Sequence, residues 1–198
     1  MSTRTAQIER KTGETDVALS LTLEGSGAGT RQTGVGFLDH MLDLLARHAC
    51  LDLEVKVVGD LQTGAHHTAE DTAIVLGQAL DRALGERAGI VRYGAATVPM
   101  DEARASAAID ISGRPFTLFE AELPPGATGG FEHELTEEFF RALANAAKLT
   151  LHLRVEAGTN AHHMIEAAFK AFARSLRAAV ALDPTESGVP STKGTLTA

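Results

Sequence analysis

His66-His67-Thr68-Ala69-Glu70 is the stretch on which the fold turns, because the chain carries it twice. Ninety-six residues further on it reads His162-His163-Met164-Ile165-Glu166. Each copy follows a glycine-containing loop, Thr63-Gly64-Ala65 and Gly158-Thr159-Asn160-Ala161, and each opens a long apolar-periodic segment. In the first, Ala73, Leu76, Leu80, Ala83 and Leu84 recur at three- and four-residue steps, which predicts a helix from about 66 to 87. In the second, Ile165, Ala168, Phe169, Phe172, Leu176, Ala179 and Val180 predict a helix over about 162–181.

Working outward, the segments before the two motifs match as well. Strictly alternating runs at 51–57 and 149–155 read as half-buried strands. Ahead of them lie apolar helical patterns at about 40–49, with Asp39 placed to cap, and at about 136–147. Ahead of those lie paired strand-like runs, within 4–24 around a turn at Lys11-Thr12-Gly13-Glu14, and at 94–100 and 104–111. A Pro/Gly loop fills 123–130. With an offset of 98, Leu45 aligns with Leu143, Leu51 with Leu149, Leu53 with Leu151 and Val57 with Val155. A two-residue contraction in the following loop brings the His-His pairs into register. The offset also puts Glu138 where the first half has His40. The expected architecture is therefore α+β. Two duplicated β-β-α-β-α units, 1–90 and 91–182, packed together with sheet on one side and helices on the other, are expected, with a pseudo-two-fold axis relating the two motifs. Residues 183–198, with Gly188-Val189-Pro190-Ser191-Thr192-Lys193-Gly194, show no periodicity and form a tail.

Composition narrows the function class. The chain has 198 residues, 44% apolar and 22% charged, enough for a real core. No apolar run is long enough to span a bilayer, and the first 16 residues have no apolar signal region. Cys50 is the single cysteine, so neither a disulfide framework nor a cysteine zinc site is expected, and a reducing cytoplasm fits. A net charge of -8 argues against nucleic acid or an anionic membrane as partner. A small phosphorylated substrate needs only a few local cations.

The repeated motif carries metal-binding chemistry. Residues i and i+4 of a helix share a face, whereas neighbours point about 100° apart. His66 and Glu70 can therefore reach one ion, and His162 and Glu166 another. His67 and His163 point elsewhere, so the pseudo-symmetry suggests an exchange: His163 joins His66 and Glu70, and His67 joins His162 and Glu166. His40 and Glu138 are available as fourth ligands. Imidazole and carboxylate together suit Mn²⁺, Fe²⁺ or Zn²⁺ better than Mg²⁺ or Ca²⁺. One copy alone would read as a solvated surface pair. Retention of both histidines and the glutamate in both halves is what favours ligation.

Four stretches in order resemble the imidazoleglycerol-phosphate dehydratase family: Gly36-Phe37-Leu38-Asp39-His40-Met41-Leu42, His66-His67-Thr68-Ala69-Glu70-Asp71, Gly158 through Ala167, and Ser191-Thr192-Lys193-Gly194. The resemblance implies dehydration of imidazole glycerol phosphate to imidazole acetol phosphate in histidine biosynthesis. It also implies two manganese ions (Mn²⁺) per active site and a homo-oligomeric 24-subunit shell with sites at subunit contacts. Carried over by position, one ion takes His40, His67, His162 and Glu166, and the other His66, Glu70, His163 and residue 138. Many relatives have histidine at that last position; this chain has Glu138, with Glu137 as a nearby competitor. The resemblance further gives Glu14 the proton transfers, and Arg92, Arg114, Ser191 and Lys193 the substrate and its phosphate. His48 reads equally as a pocket residue or as a core histidine, and Asp101 and Glu102 follow a strand end that can face the site. His133 and His152 lack a partner pattern. The implied chemistry has the substrate's imidazolate bridging the two ions. Two rivals share the ligand set: a dinuclear metallohydrolase and a non-catalytic metal-binding assembly. Neither uses Glu14, Arg92, Arg114 and Lys193.

Overall fold

The computed structural model describes residues 4–196. Four strands form the first sheet: β1 (Thr5–Lys11), β2 (Thr15–Thr22), β3 (Arg31–Gln32) and β4 (Asp52–Gly59). Two helices accompany them, α1 (Gly36–Ala49) and α2 (His66–Leu84). The second half has β5 (Tyr93–Met100), β6 (Ala103–Asp110), β7 (Phe116–Glu120), β8 (Ala127–Thr128), β9 (Phe131–Glu132), α3 (Leu135–Ala147), β10 (Thr150–Ala157) and α4 (Ala161–Val180). The sheet orders are β1-β2-β4-β3 and β5-β6-β10-β7, with β8-β9 a small separate ribbon. The last strand of each large sheet joins parallel to its neighbour, β3 on β4 and β7 on β10, and the other pairs are antiparallel. These parallel edge strands are absent from the β-β-α-β-α reading. β3 has only two residues, and the partner of β7 lies about thirty residues downstream.

The duplication extends to details that no hydrophobic pattern requires. α1 ends on Cys50 and α3 on Lys148, both left-handed, with φ 55° and 56°. The next residue then turns back: Leu51 N donates to Ala46 O at 3.0 Å, and Leu149 N to Ala144 O at 2.9 Å. A left-handed cap favours glycine, yet both halves keep a side chain there. Cys50 is thus half-buried at a helix end rather than in the core.

Helix faces explain how the halves meet. α2 packs on β1 and β2 and against α3, whereas α4 packs on β5 and β6 and against α1. Each helix layer therefore faces the other, with the sheets outside, and Phe139, Phe140, Phe169 and Phe172 fill the space between. Gly77 lets α2 and α3 approach: a Cβ there would lie 2.5 Å from Leu143 O. Gly94 does the same for β5 under α4, where a Cβ would lie 2.0 Å from Ser175 O.

Two boundary expectations are corrected. α1 begins at Gly36, so Asp39 lies in its first turn and is not the cap. Asp39 instead accepts from Thr33 N at 2.8 Å and Thr33 Oγ1 at 2.7 Å, bracing the entry to the helix. α2 stops at Leu84 rather than 87, because Gly85 and Arg87 turn to positive φ. Among the described residues no helix is long and apolar enough to cross a membrane.

Candidate metal centre and substrate pocket

Because α1 packs on α4, His40 comes to the start of α4, where His162 and Glu166 stand one turn apart. One ligand atom from each of the three lies within 4.8 Å of the others. Glu166 Oε2 is 3.5 Å from His162 Nε2, and Oε1 is 3.9 Å from His40 Nε2. Asn160 starts the helix by accepting from His162 N at 2.9 Å, which fixes the backbone beneath the ligands. The Phe37 ring stands edge-on to His162 at 5.0 Å and walls one side. The histidines are partly exposed, whereas the Glu166 carboxylate is buried and held by Lys170 Nζ at 2.9 Å. Two imidazoles and a carboxylate, open toward solvent, fit a divalent transition metal that must also take substrate.

The pseudo-symmetric place is built from α2 and α3. His66 Nε2 lies 3.8 Å from Glu70 Oε2. α3, packed on α2 as α1 is packed on α4, carries half-buried Glu138 at the position of His40. Among the described residues Glu138 does not close with His66 and Glu70 into a three-ligand group; the His40 group alone does so.

His67 and His163 point away from their neighbours, and each is held between two carboxylates. His67 Nδ1 meets Asp60 at 3.0 Å, and its Nε2 lies 3.5 Å from Glu14. His163 Nδ1 meets Glu102 at 2.7 Å, and its Nε2 lies 3.7 Å from Asp101. The hydrogen bonds to Asp60 and to Glu102 raise the pKa of His67 and of His163. In return, His163 and the backbone N–H groups of Asn160 and Thr159 hold Glu102 down at about 2. Such carboxylates orient a ligating ring and set its tautomer. Neither histidine joins a three-ligand group within the chain, among the described residues.

Glu14 sits at the tip of the β1–β2 hairpin, exposed beside His67. Arg92, Arg114, Ser191 and Lys193 line one open cavity of about 740 Å³, with Tyr93 and Pro190. Arg92 is fixed from three sides. Its Nε donates to Asp110 at 2.7 Å, its Nη1 donates to Pro190 O at 2.7 Å, and its guanidinium lies 4.6 Å over the Tyr93 ring. Ser191 Oγ accepts from Lys193 N at 3.2 Å, so the segment folds into a tight turn. Three cations and a hydroxyl converging on one cavity suit a phosphate.

His48 lies half-buried on α1, and its pKa is lowered by that burial and then by Lys170, Arg174 and Arg47. Buried His133 bridges Thr128 Oγ1 and Pro124 O, and His152 packs beside Phe116 on the outer sheet face, so neither belongs to the site. The sequence reading overlooked Lys170 and Asp60. Lys170 had a signal, its i+4 spacing from Glu166. Asp60 reaches His67 through the loop after β4, and nothing local announces that.

A family model for imidazoleglycerol-phosphate dehydratase matches residues 33–176. The enzyme of that name from Symbiobacterium thermophilum is 58% identical over 99% of this chain and 94% of its own length. That from Jannaschia is 53% identical over 98% of this chain and the whole of its own. Among solved structures, imidazoleglycerol-phosphate dehydratase from Staphylococcus aureus superposes with a TM-score of 0.82 at 41% identity, covering 90% of this chain and 99% of that one. The corresponding structure from Pyrococcus furiosus gives 0.83 at 35% identity, covering 96% and 100%. Matched over most of its length by the family model, and over nearly all of it by these relatives and their fold, the chain belongs to the imidazoleglycerol-phosphate dehydratase family.

Proposed function

We propose that the protein dehydrates imidazole glycerol phosphate with two Mn²⁺ per active site, each centre completed between two copies of the chain. The reaction itself, a hydro-lyase step of histidine biosynthesis, its metal dependence and its small phosphate substrate come with the family. The grouping of His40, His162 and Glu166 while His67 stays apart carries the two-copy reading. In it, His67 of one copy completes that group in another. His163 of the second copy completes His66, Glu70 and Glu138 of the first. Sites between copies require a homo-oligomer, for which a 24-subunit shell is the proposed form. A cytoplasmic setting accords with the single cysteine, Cys50, and the charge of -8 argues against nucleic acid or an anionic membrane as partner.

The chemistry explains the residue set. Loss of water removes a proton from a carbon with no neighbouring carbonyl and expels hydroxide from the next carbon. His40, His162 and Glu166 with His67, and His66, Glu70 and Glu138 with His163, would hold the two ions, whose Lewis acidity would make the substrate's imidazole a better acceptor of that charge. Arg92, Arg114, Ser191 and Lys193 hold the phosphate and so fix the distance from that anchor to the reacting carbons. Lys170 holds Glu166 in place at 2.9 Å, and Asp60 and Glu102 hold the two outward histidines. Glu14, on a hairpin tip beside His67, moves the proton. Glu14→Gln is expected to keep metal content and substrate affinity while turnover falls by about a thousandfold or more. Metal analysis, equilibrium binding and steady-state kinetics on the same preparation check it. Retained turnover removes Glu14 from the role.

A further inference from the structure

Arg87 is fully buried, and none of the chemistry above uses it. It follows the end of α2 in a left-handed conformation, φ 60°, which turns its side chain inward. Nη2 donates to Asp81 Oδ1 at 2.6 Å, and Asp81 also holds Lys148 at 2.8 Å. Nη1 donates to the carbonyl of Leu196, whose side chain is itself buried. Burying a guanidinium is costly unless its donors are paired, and Nε already has no partner among the described residues, so the Leu196 contact is an integral part of what this site requires.

The same carbonyl passes directly over Gly113. A Cβ there would lie 1.8 Å from Leu196 O and 2.8 Å from Arg87 Nη1, and Gly113 has φ 75°. Gly113 adjoins Arg114. The far end of the segment is tied too: Gly89 N donates to Gly188 O at 2.7 Å, Asp183 N to Gly89 O at 2.9 Å, and Arg92 Nη1 to Pro190 O at 2.7 Å. Between Pro190 and Leu196 the chain carries Ser191 and Lys193 across the cavity that holds Arg92 and Arg114.

We infer that Arg87 is a positioning residue: by clamping the Leu196 carbonyl over Gly113 it holds Ser191 and Lys193 in place for the substrate phosphate. The inference rests on the reading of this cavity as the phosphate site. Anchored at both ends, the segment is ordered before substrate arrives. Released at Leu196, it must be ordered at each binding event, and affinity falls by that cost. Because the segment touches the phosphate and not the reacting carbons, the loss falls on binding.

Two variants test this without removing the buried cation: Gly113→Ala, which drives a methyl into the Leu196 carbonyl, and a chain stopped after Gly194. Arg87→Met is the direct third. The assembled enzyme is assayed for KM, kcat and competitive inhibition by inorganic phosphate, well below its unfolding temperature. KM and the phosphate inhibition constant are expected to rise together by about tenfold, with kcat changed less than about threefold, the pattern of lost uniform binding. A lower melting temperature with KM and phosphate inhibition unchanged in the first two variants overturns the inference, since Arg87 is then only structural. Lys193→Ala separates the underlying reading. If it too leaves phosphate inhibition unchanged, the cavity is not the phosphate site. If it weakens inhibition while the Gly113 and shortened variants do not, the cavity stands and the clamp fails.

Discussion

Replacing Glu166 with glutamine alters one charge and almost no volume, and the structure sets how much that should matter. The carboxylate is the only anionic group of the three-ligand centre, 3.5 Å from His162 and 3.9 Å from His40. It is also the partner of Lys170 at 2.9 Å, with side-chain exposures of 8% and 16%. Breaking a buried pair by removing one member costs about 3–5 kcal/mol. Water still reaches part of Lys170, so we expect about 2–3 kcal/mol off the stability of the metal-free protein. A second loss appears only with metal. A neutral ligand replaces a charged one while the ammonium of Lys170 stays close by, which should weaken Mn²⁺ at this centre by about a hundredfold, or ~2.7 kcal/mol. Thermal unfolding separates the two effects. The melting temperature without metal reports the first, and its rise on titrating Mn²⁺ reports the second. Glu166→Gln with a normal Mn²⁺-dependent rise would refute the assignment of Glu166 as a ligand. A normal metal-free melting temperature would refute the buried-pair argument.

Two further outcomes are expected from the geometry. In the metal-free protein, Asp60 and Glu102 hold protons on His67 and His163 above the ordinary 6.5. These pairs stabilise fully below that value and lose their contribution as pH rises through the raised pKa values. Glu102, at about 2 instead of 4.5, keeps its charge on the acid side and loses its contribution as pH falls toward 2. Asp60→Asn should move the His67 midpoint down in an imidazole NMR titration, and an unmoved midpoint contradicts the hydrogen bond. Gly77→Ala puts a methyl 2.5 Å from the Leu143 carbonyl, where α2 and α3 join the two halves. Overpacking there should cost about 1–3 kcal/mol, more than the roughly 1 kcal/mol gained in helix propensity. Thermal unfolding reads the net loss, and an unchanged or higher melting temperature contradicts the close approach.

The duplicated order was legible because its signal is local: the helices and the alternating strands each declare their period within a few residues. The edge strands were not. β3 is two residues long, and β7 is defined by its parallel pairing with a strand beyond α3. Asp39 looked like a cap from its place before an apolar run, but the helix starts three residues earlier and uses Asp39 to hold Thr33. In the site, the repeat paired His162 with Glu166 and left His40 as an available further ligand, the family resemblance grouped the three, and the structure brings one ligand atom of each within 4.8 Å of the others. The carboxylates behind His67 and His163 come from other loops. Asp101 and Glu102 stood at a strand end that could face the site, whereas Asp60 had no such cue. Arg87 entered the sequence argument only as the end of the helix expected over 66–87. Its buried guanidinium meets Asp81, six positions away, and the carbonyl of Leu196, 109 positions away.

The central claim is that His67 of one copy completes the His40, His162 and Glu166 centre of another. Complementation tests it directly. His67→Ala and His162→Ala are each expected to be inactive alone, because every site lacks a ligand. Co-expressed and assembled together, they place a copy with His162 intact beside a copy with His67 intact in roughly a quarter of the sites, by random mixing within a symmetric oligomer. Dehydratase activity should return to about that fraction of the unmodified enzyme, with Mn²⁺ content rising in parallel. Co-assembled variants that stay inactive, while their separate assemblies remain folded, would contradict the shared centre.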